Sequence, residues 1–209
     1  MKGRKRVRRS PEEARRLILD AAEALLSKNG PDAVVPREIA ARAGVSRALI
    51  NHYFGGYDAL VEATLHRMLD RSRELLVRRV AELDRVTPAA LLAAFFELLR
   101  SRQFGRLVGW AFLSGRLDDY VERVQGGRQL ADILSSRLAG PSERRVARDD
   151  LDYLILLVLA VGVGLSLGRG TLWRSLGREP TTEQEEAFRA WLADLIEHHV
   201  ERSAMSAEG

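Results

Sequence analysis

The sequence predicts an all-α protein in which an N-terminal helix-turn-helix is joined to a larger C-terminal helical domain. Apolar residues recur at helical spacing in long runs, and no strand-like alternation of any length appears. Two short helical patterns meet at a glycine between residues 37 and 54. The chain has 209 residues with 46% hydrophobic side chains, which is enough for one or two domains with a real core.

The first predicted helix follows residues 1–9 and begins with a capping box. Ser10 is its N-cap, Pro11 stands at the first helical position, and Glu13 reaches back to the cap. The pair Asn29-Gly30 ends the helix, because glycine terminates helices and polar residues favour the cap.

The segment Arg37 to Phe54 predicts two short helices joined by a tight turn. Gly44 can adopt the left-handed conformation that ends the first helix, and the hydroxyl of Ser46 can cap the second. Such a unit places its second helix in the major groove of DNA. The alternative is an ordinary helical hairpin in an all-α core. After Phe54 the pair Gly55-Gly56 breaks the chain, and a long amphipathic helix is predicted over residues 57–83.

Three ordered segments, ILDAAEALLSKNG, REIAARAGVS and LINHYFGGYDALVEATL, resemble the N-terminal domain of TetR/AcrR-type transcriptional regulators over about residues 12–68. The resemblance implies a three-helix DNA-binding domain, a connecting fourth helix, and a C-terminal helical domain for dimerisation and ligand binding. It divides the chain into a basic arm (residues 1–9), a DNA-binding domain (10–56) and an effector-binding and dimerisation domain (57–209).

The chain departs from the family pattern at several positions. Residues 34–36 are Val-Val-Pro, with no hydroxyl where the family commonly has a phosphate-binding threonine or serine. Tyr57 stands where a lysine is usual. In the recognition helix, Ala48 replaces a small polar residue or glycine, and Asn51 replaces a tyrosine. These departures leave the fold expectation in place and leave the operator sequence open.

The predicted DNA contacts follow from side-chain chemistry. Arg47 can bind a guanine edge and Asn51 an adenine edge, and Ala48 can touch a thymine methyl group. Phosphate contacts are expected from the remaining polar residues, although Tyr53 could instead cover the domain core. The full set of predicted DNA-binding residues is Arg37, Arg42, Ser46, Arg47, Ala48, Asn51, His52, Tyr53, Tyr57, Arg4 and Arg6.

The basic charge is concentrated at the N-terminus. Residues 1–9 hold six basic residues and no acid, so they account for the formal net charge of +4. Such a tail beside a helix-turn-helix can contact phosphates or the minor groove, and the alternative is a solvated tail.

Five further helices are predicted over about residues 88–102, 103–113, 117–138, 149–168 and 181–202. Thr87-Pro88 begins the first of them, and a Thr181-to-Gln184 capping box begins the last. Loops are expected at residues 142–148 and 172–180.

The last two helices are the predicted dimer interface. The helix over residues 149–168 is apolar nearly all round, so more than one face must be buried. The alternative is that both helices complete the core of a monomer. The predicted interface residues are Leu156, Ala160, Gly164, Phe188, Trp191, Leu195 and His199.

An aromatic cluster predicts an apolar effector pocket between the central helices, with plain core packing as the alternative. The predicted lining residues are Phe95, Phe96, Leu99, Trp110, Phe112 and Tyr120. No residue pattern identifies a ligand.

The sequence gives no support for catalysis or a cofactor. There is no cysteine, and no GxSxG, phosphate-binding glycine loop or HExxH motif. Glu62 and His66 stand four apart, a spacing that could bind metal but more often stabilises a helix.

We therefore expect a cytoplasmic, homodimeric repressor that a small apolar effector releases from a palindromic operator, with no contact to membranes. The alternatives are a helical protein-interaction module and a DNA-binding protein without effector control.

Overall fold

The structure is a computed structural model that describes residues 10–83, 86–99, 102–138 and 147–206. Throughout these ranges the regular elements are helices, which confirms the all-α class. They are α1 (Pro11–Asn29), α2 (Pro36–Ala43), α3 (Arg47–Phe54), α4 (Tyr57–Glu82), α5 (Pro88–Leu99), α6 (Arg102–Leu113), α7 (Asp118–Val124), α8 (Gly126–Leu138), α9 (Arg148–Ser175) and α10 (Thr182–Ser206), with a short 3-10 turn at Pro31–Ala33.

The chain forms two compact units, residues 1–69 and 70–209. The boundary therefore lies within α4, whereas the sequence placed it before that helix, at residue 57. The difference arises because the first turns of α4 supply apolar side chains to the first unit. Leu60 and Leu65 are fully buried there together with Ile18, Ile39 and Ile50.

In the first unit, α1 begins where its capping signals predict. The backbone N–H of Glu13 donates to the Ser10 hydroxyl at 3.1 Å, and Gly30 follows the last turn with φ of 82°. The apolar face of α1 packs on α2. A fully buried leucine or isoleucine contributes about 1.5–3 kcal/mol relative to an exposed one, so this core stabilises the unit without a further partner.

Polar contacts fix α4 against α1 within the same unit. The Arg67 guanidinium bridges two carboxylates of α1, at 2.8 Å to Asp20 and 2.6 Å to Glu23. The fully buried Thr64 donates its hydroxyl hydrogen to the Leu60 carbonyl at 2.7 Å, so this buried donor is satisfied within α4.

The second unit is built around α5, α9 and α10. Leu92 and Phe96 of α5 form a buried cluster with Leu192 and Ile196 of α10, and partly buried residues of α9 pack against it. As predicted, Thr87 caps α5 through a 3.2 Å bond from the Ala90 N–H. The Thr181–Gln184 capping box at α10 is also present.

Two glycines of α6 lie at its close crossing with α9. A Cβ atom added to Gly105 would lie 2.6 Å from Cβ of Ser166, and one added to Gly109 would lie 2.0 Å from Cδ2 of Leu167. Both distances are shorter than van der Waals contact. At Gly105 the clash is with Cβ of Ser166, which cannot move without its backbone, so this close approach requires glycine there, whereas the methyl group of Leu167 near Gly109 can move by a change of rotamer.

Two predicted helix boundaries were wrong. The single helix expected over residues 117–138 is divided into α7 and α8 at Gln125, which adopts a left-handed conformation (φ 47°, ψ 38°) ahead of Gly126. The helix expected to end at Gly168 instead continues to Ser175 with a kink at that glycine (φ −121°, ψ 17°). Trp173, placed by the sequence in a loop, therefore lies in α9 and stacks edge-on against Phe188 at 6.3 Å.

A polar network in the second unit connects α4 with α7 and α8. The Tyr120 hydroxyl of α7 donates to the Asp70 carboxylate of α4 at 2.9 Å. Arg73, one turn later on α4, donates to the Gln129 side chain of α8 at 3.0 Å. Burial, together with the Asp70 carboxylate, raises the pKa of Tyr120 to about 12.

Candidate DNA-binding surface

The helix-turn-helix forms as the sequence predicts. Gly44 ends α2 in the left-handed region with φ of 65° and ψ of 37°, where a side chain would be strained. The Val45 N–H then bonds to the Ala40 carbonyl at 3.0 Å, which closes the turn before α3 begins.

The N-terminus of α2 is closed by its own glutamate. The Val35 N–H donates to the Glu38 carboxylate at 3.3 Å, and Pro36 occupies the first helical position. A carboxylate thus stands where the family commonly has a phosphate-binding hydroxyl. Its negative charge disfavours a phosphate at this end of α2.

One face of α3 is polar and exposed, whereas the other is buried. Arg47, Ala48, Asn51 and His52 are exposed, and Ile50 is fully buried in the core of the first unit. The spacing of the exposed residues puts them on adjacent turns of one helix face. This face can therefore present an arginine, a methyl group and an amide to base edges without unfolding any part of the core.

Ser46 has the extended backbone of an N-cap residue (φ −81°, ψ 152°), but its side chain makes no capping hydrogen bond. The predicted hydroxyl cap is therefore wrong. The exposed hydroxyl of Ser46 remains able to donate to a phosphate.

Uncompensated positive charge surrounds α3. Arg37 and Arg42 of α2 are exposed, as is Arg47, and none of the three forms an ion pair with another residue that the structure describes. Arg15 of α1 was not among the predicted residues, and its guanidinium lies 5.0 Å from the centre of the Phe54 ring. This cation–π contact holds a fourth cation at the end of α3. Because residues 15 and 54 lie on different helices, no helical spacing in the sequence predicts this contact.

Two predicted phosphate-binding tyrosines occupy different environments. Tyr53 is half-buried, and its ring lies 5.0 Å from that of His52 in an edge-to-face contact. The Tyr57 hydroxyl donates its proton to the Pro31 carbonyl at 2.7 Å. Burial, followed by the nearby carboxylates of Asp32, Asp58 and Glu38, raises the pKa of Tyr57. The phenol therefore stays protonated and its hydrogen is used within the protein, so the predicted phosphate contact of Tyr57 requires this bond to break.

Arg4 and Arg6 of the basic arm lie outside the described residues. The remaining predicted DNA-binding side chains all belong to the first unit.

The residues predicted to line an effector pocket lie on three helices of the second unit, α5, α6 and α7. Phe95 and Phe96 contact each other with ring centres 6.0 Å apart, and Phe96 belongs to the α5–α10 core. Trp110 carries Arg116 over its ring at 5.3 Å, whereas Phe112 is 65% exposed. Tyr120 is buried and bonded to Asp70, and the side chain of Leu99 lies outside the described residues. The effector pocket predicted from this set stays a prediction.

A different opening lies between α8 and α9, with a volume of about 650 Å³. Its apolar surface is formed by Ile155, Leu156 and Leu159 of α9. Its polar lining comes from Gly127 and Arg128 of α8 with Arg148 and Asp152 of α9. This cleft was not predicted from the sequence, because it depends on how two helices cross.

The predicted dimer residues form an exposed apolar surface on α9 and α10. Leu156, Ala160, Trp191 and Leu195 are exposed, while Gly164, Phe188 and His199 are half-buried. The expectation that more than one face of α9 is buried does not hold within one chain. By length and composition α9 could also cross a membrane, a property that it shares with core helices of soluble proteins.

No group of three or more histidine, aspartate or glutamate side chains that could hold a metal ion occurs in the part of the chain that the structure describes. His66 Nε2 lies 3.9 Å from Glu62 Oε1 on the same helix, as a pair four residues apart.

Comparison with known proteins gives consistent matches. A family model described as bacterial regulatory proteins of the tetR family matches residues 18–64. The HTH-type transcriptional regulator BetI of Cronobacter sakazakii is 32% identical over an alignment covering 93% of this chain and 81% of that protein. BetI of Rhizobium meliloti is 36% identical, but the alignment spans only 45% of this chain and 56% of that relative.

Among solved structures, a tetR-family transcriptional regulator from Streptomyces coelicolor matches with a TM-score of 0.64 at 24% identity. The match covers 93% of this chain and 84% of that one. At this identity the likeness describes the fold, and it extends over both units of the chain.

Proposed function

The chain belongs to the TetR family of bacterial regulatory proteins, whose members are DNA-binding transcriptional regulators and not enzymes, and we propose that it acts as a homodimeric repressor that a small molecule releases from a palindromic operator. The observation that carries this proposal is the polar, exposed face of α3 beside arginines that have no acidic partner among the described residues. That combination has no role in the stability of the first unit, and it matches what a duplex presents to a protein.

Each exposed side chain has a proposed task on DNA. Arg47 donates in bidentate fashion to a guanine, Asn51 pairs with an adenine edge, and Ala48 contacts a thymine methyl group. Arg37 and Arg42 contact phosphates, which fix the orientation of the protein without reading sequence. His52, Tyr53 and Ser46 add neutral or weakly basic contacts to the same strands.

The basic arm extends this contact. Six positive charges in residues 1–9 favour phosphates or the minor groove, and their binding would depend strongly on salt. Removing residues 1–9 should weaken operator binding and reduce the slope of affinity against salt. An unchanged slope would assign the arm to solvent.

Dimerisation is proposed through the exposed face of α9 and α10. A two-fold pair can place two recognition helices about 34 Å apart, one turn of DNA, and so read an inverted repeat. The exposed Leu156, Trp191 and Leu195 support this arrangement because a monomer would leave these large apolar side chains in water.

Release by an effector requires that the small molecule bind one arrangement of the dimer more tightly than the other. The connector in this proposal is α4, which begins in the first unit and ends in the second. A regulator of this kind acts where the chromosome is, so we place it in the cytoplasm.

The test is selection of bound sequences from a random duplex pool with the purified protein at two salt concentrations. We expect an enriched inverted repeat, and Asn51→Ala should lose preference at one base pair of each half-site. A pool without enrichment, with weak binding that disappears as salt rises, would contradict the proposal. It would favour a helical interaction module that uses the exposed face of α9.

A further inference from the structure

The cleft between α8 and α9 has the size and lining of a small-molecule site. Its volume of about 650 Å³ lies within the range of about 300–1,000 Å³ usual for ligand pockets. Ile155, Leu156 and Leu159 line it with branched aliphatic side chains and no aromatic ring. Such a surface matches a flexible hydrocarbon chain better than a flat ring system.

One of the two arginines at the cleft is already neutralised. The Arg148 guanidinium is ion-paired with Asp132 of α8 and, at 3.1 Å, with Asp152 of α9. Hydrogen bonds to these two carboxylates raise the pKa of Arg148. Arg148 therefore links α8 to α9 through ion pairs beside the cleft.

The other arginine has no acidic partner. Arg128 is exposed and makes no ion pair with any residue in the described ranges, although its backbone carbonyl accepts from Arg148 at 3.4 Å. Its guanidinium carries five N–H donors in a planar fork that fits a carboxylate, sulfonate or phosphate group. Arg128 is thus the guanidinium at this cleft that an anionic group can reach without breaking an ion pair among the described residues.

We propose that the cleft between α8 and α9 binds a small organic anion with an aliphatic chain, holding the anionic group on Arg128 and the chain against Ile155 and Leu159. Its use as the effector site rests on the proposed function. The binding itself does not depend on DNA.

The cleft is also connected to α4 through a short path within the second unit. Arg128 precedes Gln129, which accepts the hydrogen bond from Arg73 of α4 at 3.0 Å. The start of α8 follows Gln125, the left-handed residue that separates α7 from α8. A ligand that draws Arg128 into the cleft pulls on the N-terminal end of α8, next to the left-handed Gln125. The Gln129–Arg73 hydrogen bond then transmits this displacement to α4.

Calorimetric titration of the full chain with decanoate, without DNA, tests the site. We expect saturable binding that weakens at least about tenfold in Arg128→Gln, because one charge-assisted contact is removed. Arg178→Gln removes an exposed arginine of the α9–α10 connection and is the matched control, with unchanged affinity expected. Decanol should bind more weakly than decanoate, and Leu159→Gln should weaken both.

Absence of decanoate binding, equal affinity in Arg128→Gln and the wild type, or tighter binding of decyltrimethylammonium than of decanoate would overturn the proposal. The last outcome would mean that the carboxylates of Asp132 and Asp152 determine the preference of the cleft.

Operator release separates this inference from the proposed function. With the selected operator bound, decanoate should release the wild type, while Gln129→Ala should bind decanoate normally but release poorly. Release of Gln129→Ala at the wild-type decanoate concentration would overturn the path to α4. Failure to select any operator would contradict the proposed function alone, because the titration without DNA would still stand.

Discussion

The first unit buries its apolar side chains within one chain, whereas the second leaves an apolar face of α9 exposed. In the first unit, Ile18, Ile39, Ile50 and Leu60 are all fully buried. In α9 only Leu151 and Gly162 are buried among the described residues of that helix, and Leu156 is 65% exposed. Both regions are regular helices, so secondary structure does not account for the difference. It arises from whether neighbouring elements of the same chain cover the apolar face.

This contrast explains the proposed division of work. A unit with a closed core can present a polar face to DNA without losing stability, because no side chain of its core is needed for the contact. A unit with an exposed apolar face gains stability from a second copy, and association of two copies also pairs the two DNA-binding units.

The largest expected effect is on dimerisation. Trp191→Asp places a charge in the middle of the proposed interface and removes one large apolar side chain from each protomer. At about 2 kcal/mol per side chain, the two copies together lose about 4 kcal/mol, or about a thousandfold in association. Sedimentation analysis should show a monomer, with operator affinity falling in parallel. Leu113→Asp changes a residue of α6 that is 82% exposed and should remain dimeric. If Trp191→Asp remained a dimer, the exposed apolar face of α9 and α10 would not be the surface that a second copy covers.

The second effect is on base recognition by the first unit. Arg47→Ala and Asn51→Ala should each weaken operator binding by about 1–3 kcal/mol and relax the preference at one base pair. The melting temperature should hardly change, because both side chains are exposed. Arg178→Ala removes the same charge in the second unit and should leave base preference intact. A loss that is equal for all sequences would make both residues phosphate contacts.

A third test concerns close packing inside the second unit. Gly105→Ala must displace Ser166 of α9, an overpacking cost of about 1–3 kcal/mol that exceeds the gain of about 1 kcal/mol in helix propensity. Gly164→Ala meets no atom within 4 Å inside the chain and should be neutral or stabilising. Urea unfolding in the monomeric Trp191→Asp background compares them. Equal stability of the two variants would show that α6 and α9 do not approach so closely.

A smaller effect separates the two tyrosines of the first unit. Tyr57→Phe removes the bond to the Pro31 carbonyl and should cost about 0.5–1.5 kcal/mol of unfolding free energy, with operator affinity unchanged. Tyr53→Phe should do the reverse, lowering operator affinity with little change in stability. Weaker DNA binding by Tyr57→Phe would restore the phosphate contact predicted from sequence.

The smallest expected effect concerns Tyr120, whose contribution to stability changes only at alkaline pH. The pKa of Tyr120 is raised in the folded protein to about 12, above its ordinary value of 10.0, so the folded state holds this proton more tightly. This contribution to stability is fully present below about pH 10 and is lost as the pH rises toward 12. Urea midpoints at pH 9 and 11 should fall more in the wild type than in Tyr120→Phe. Parallel decreases would mean that Asp70 does not hold the phenol in solution.

Local signals were sufficient for the helix-turn-helix and for most helix starts. Gly44, Thr87 and the Thr181–Gln184 pair act within one turn of their own backbone, and each ends or begins a helix where its chemistry predicts. The same is true of the exposed face of α3, because helical spacing separates Arg47 and Asn51 from Ile50 regardless of what packs on the buried side.

Other features depend on residues that are distant in sequence. The sequence allowed the Tyr57 hydroxyl to be assigned to a phosphate, because its hydrogen bond to the Pro31 carbonyl is visible only in the folded chain. Arg15 likewise lies near α3 only because its guanidinium contacts the Phe54 ring. Gln125 has no intrinsic preference for the left-handed region, so apolar spacing alone does not predict the division between α7 and α8. The cleft and the exposed face of α9 arise from how helices cross, since apolar spacing predicts that a face is covered but not which surface covers it.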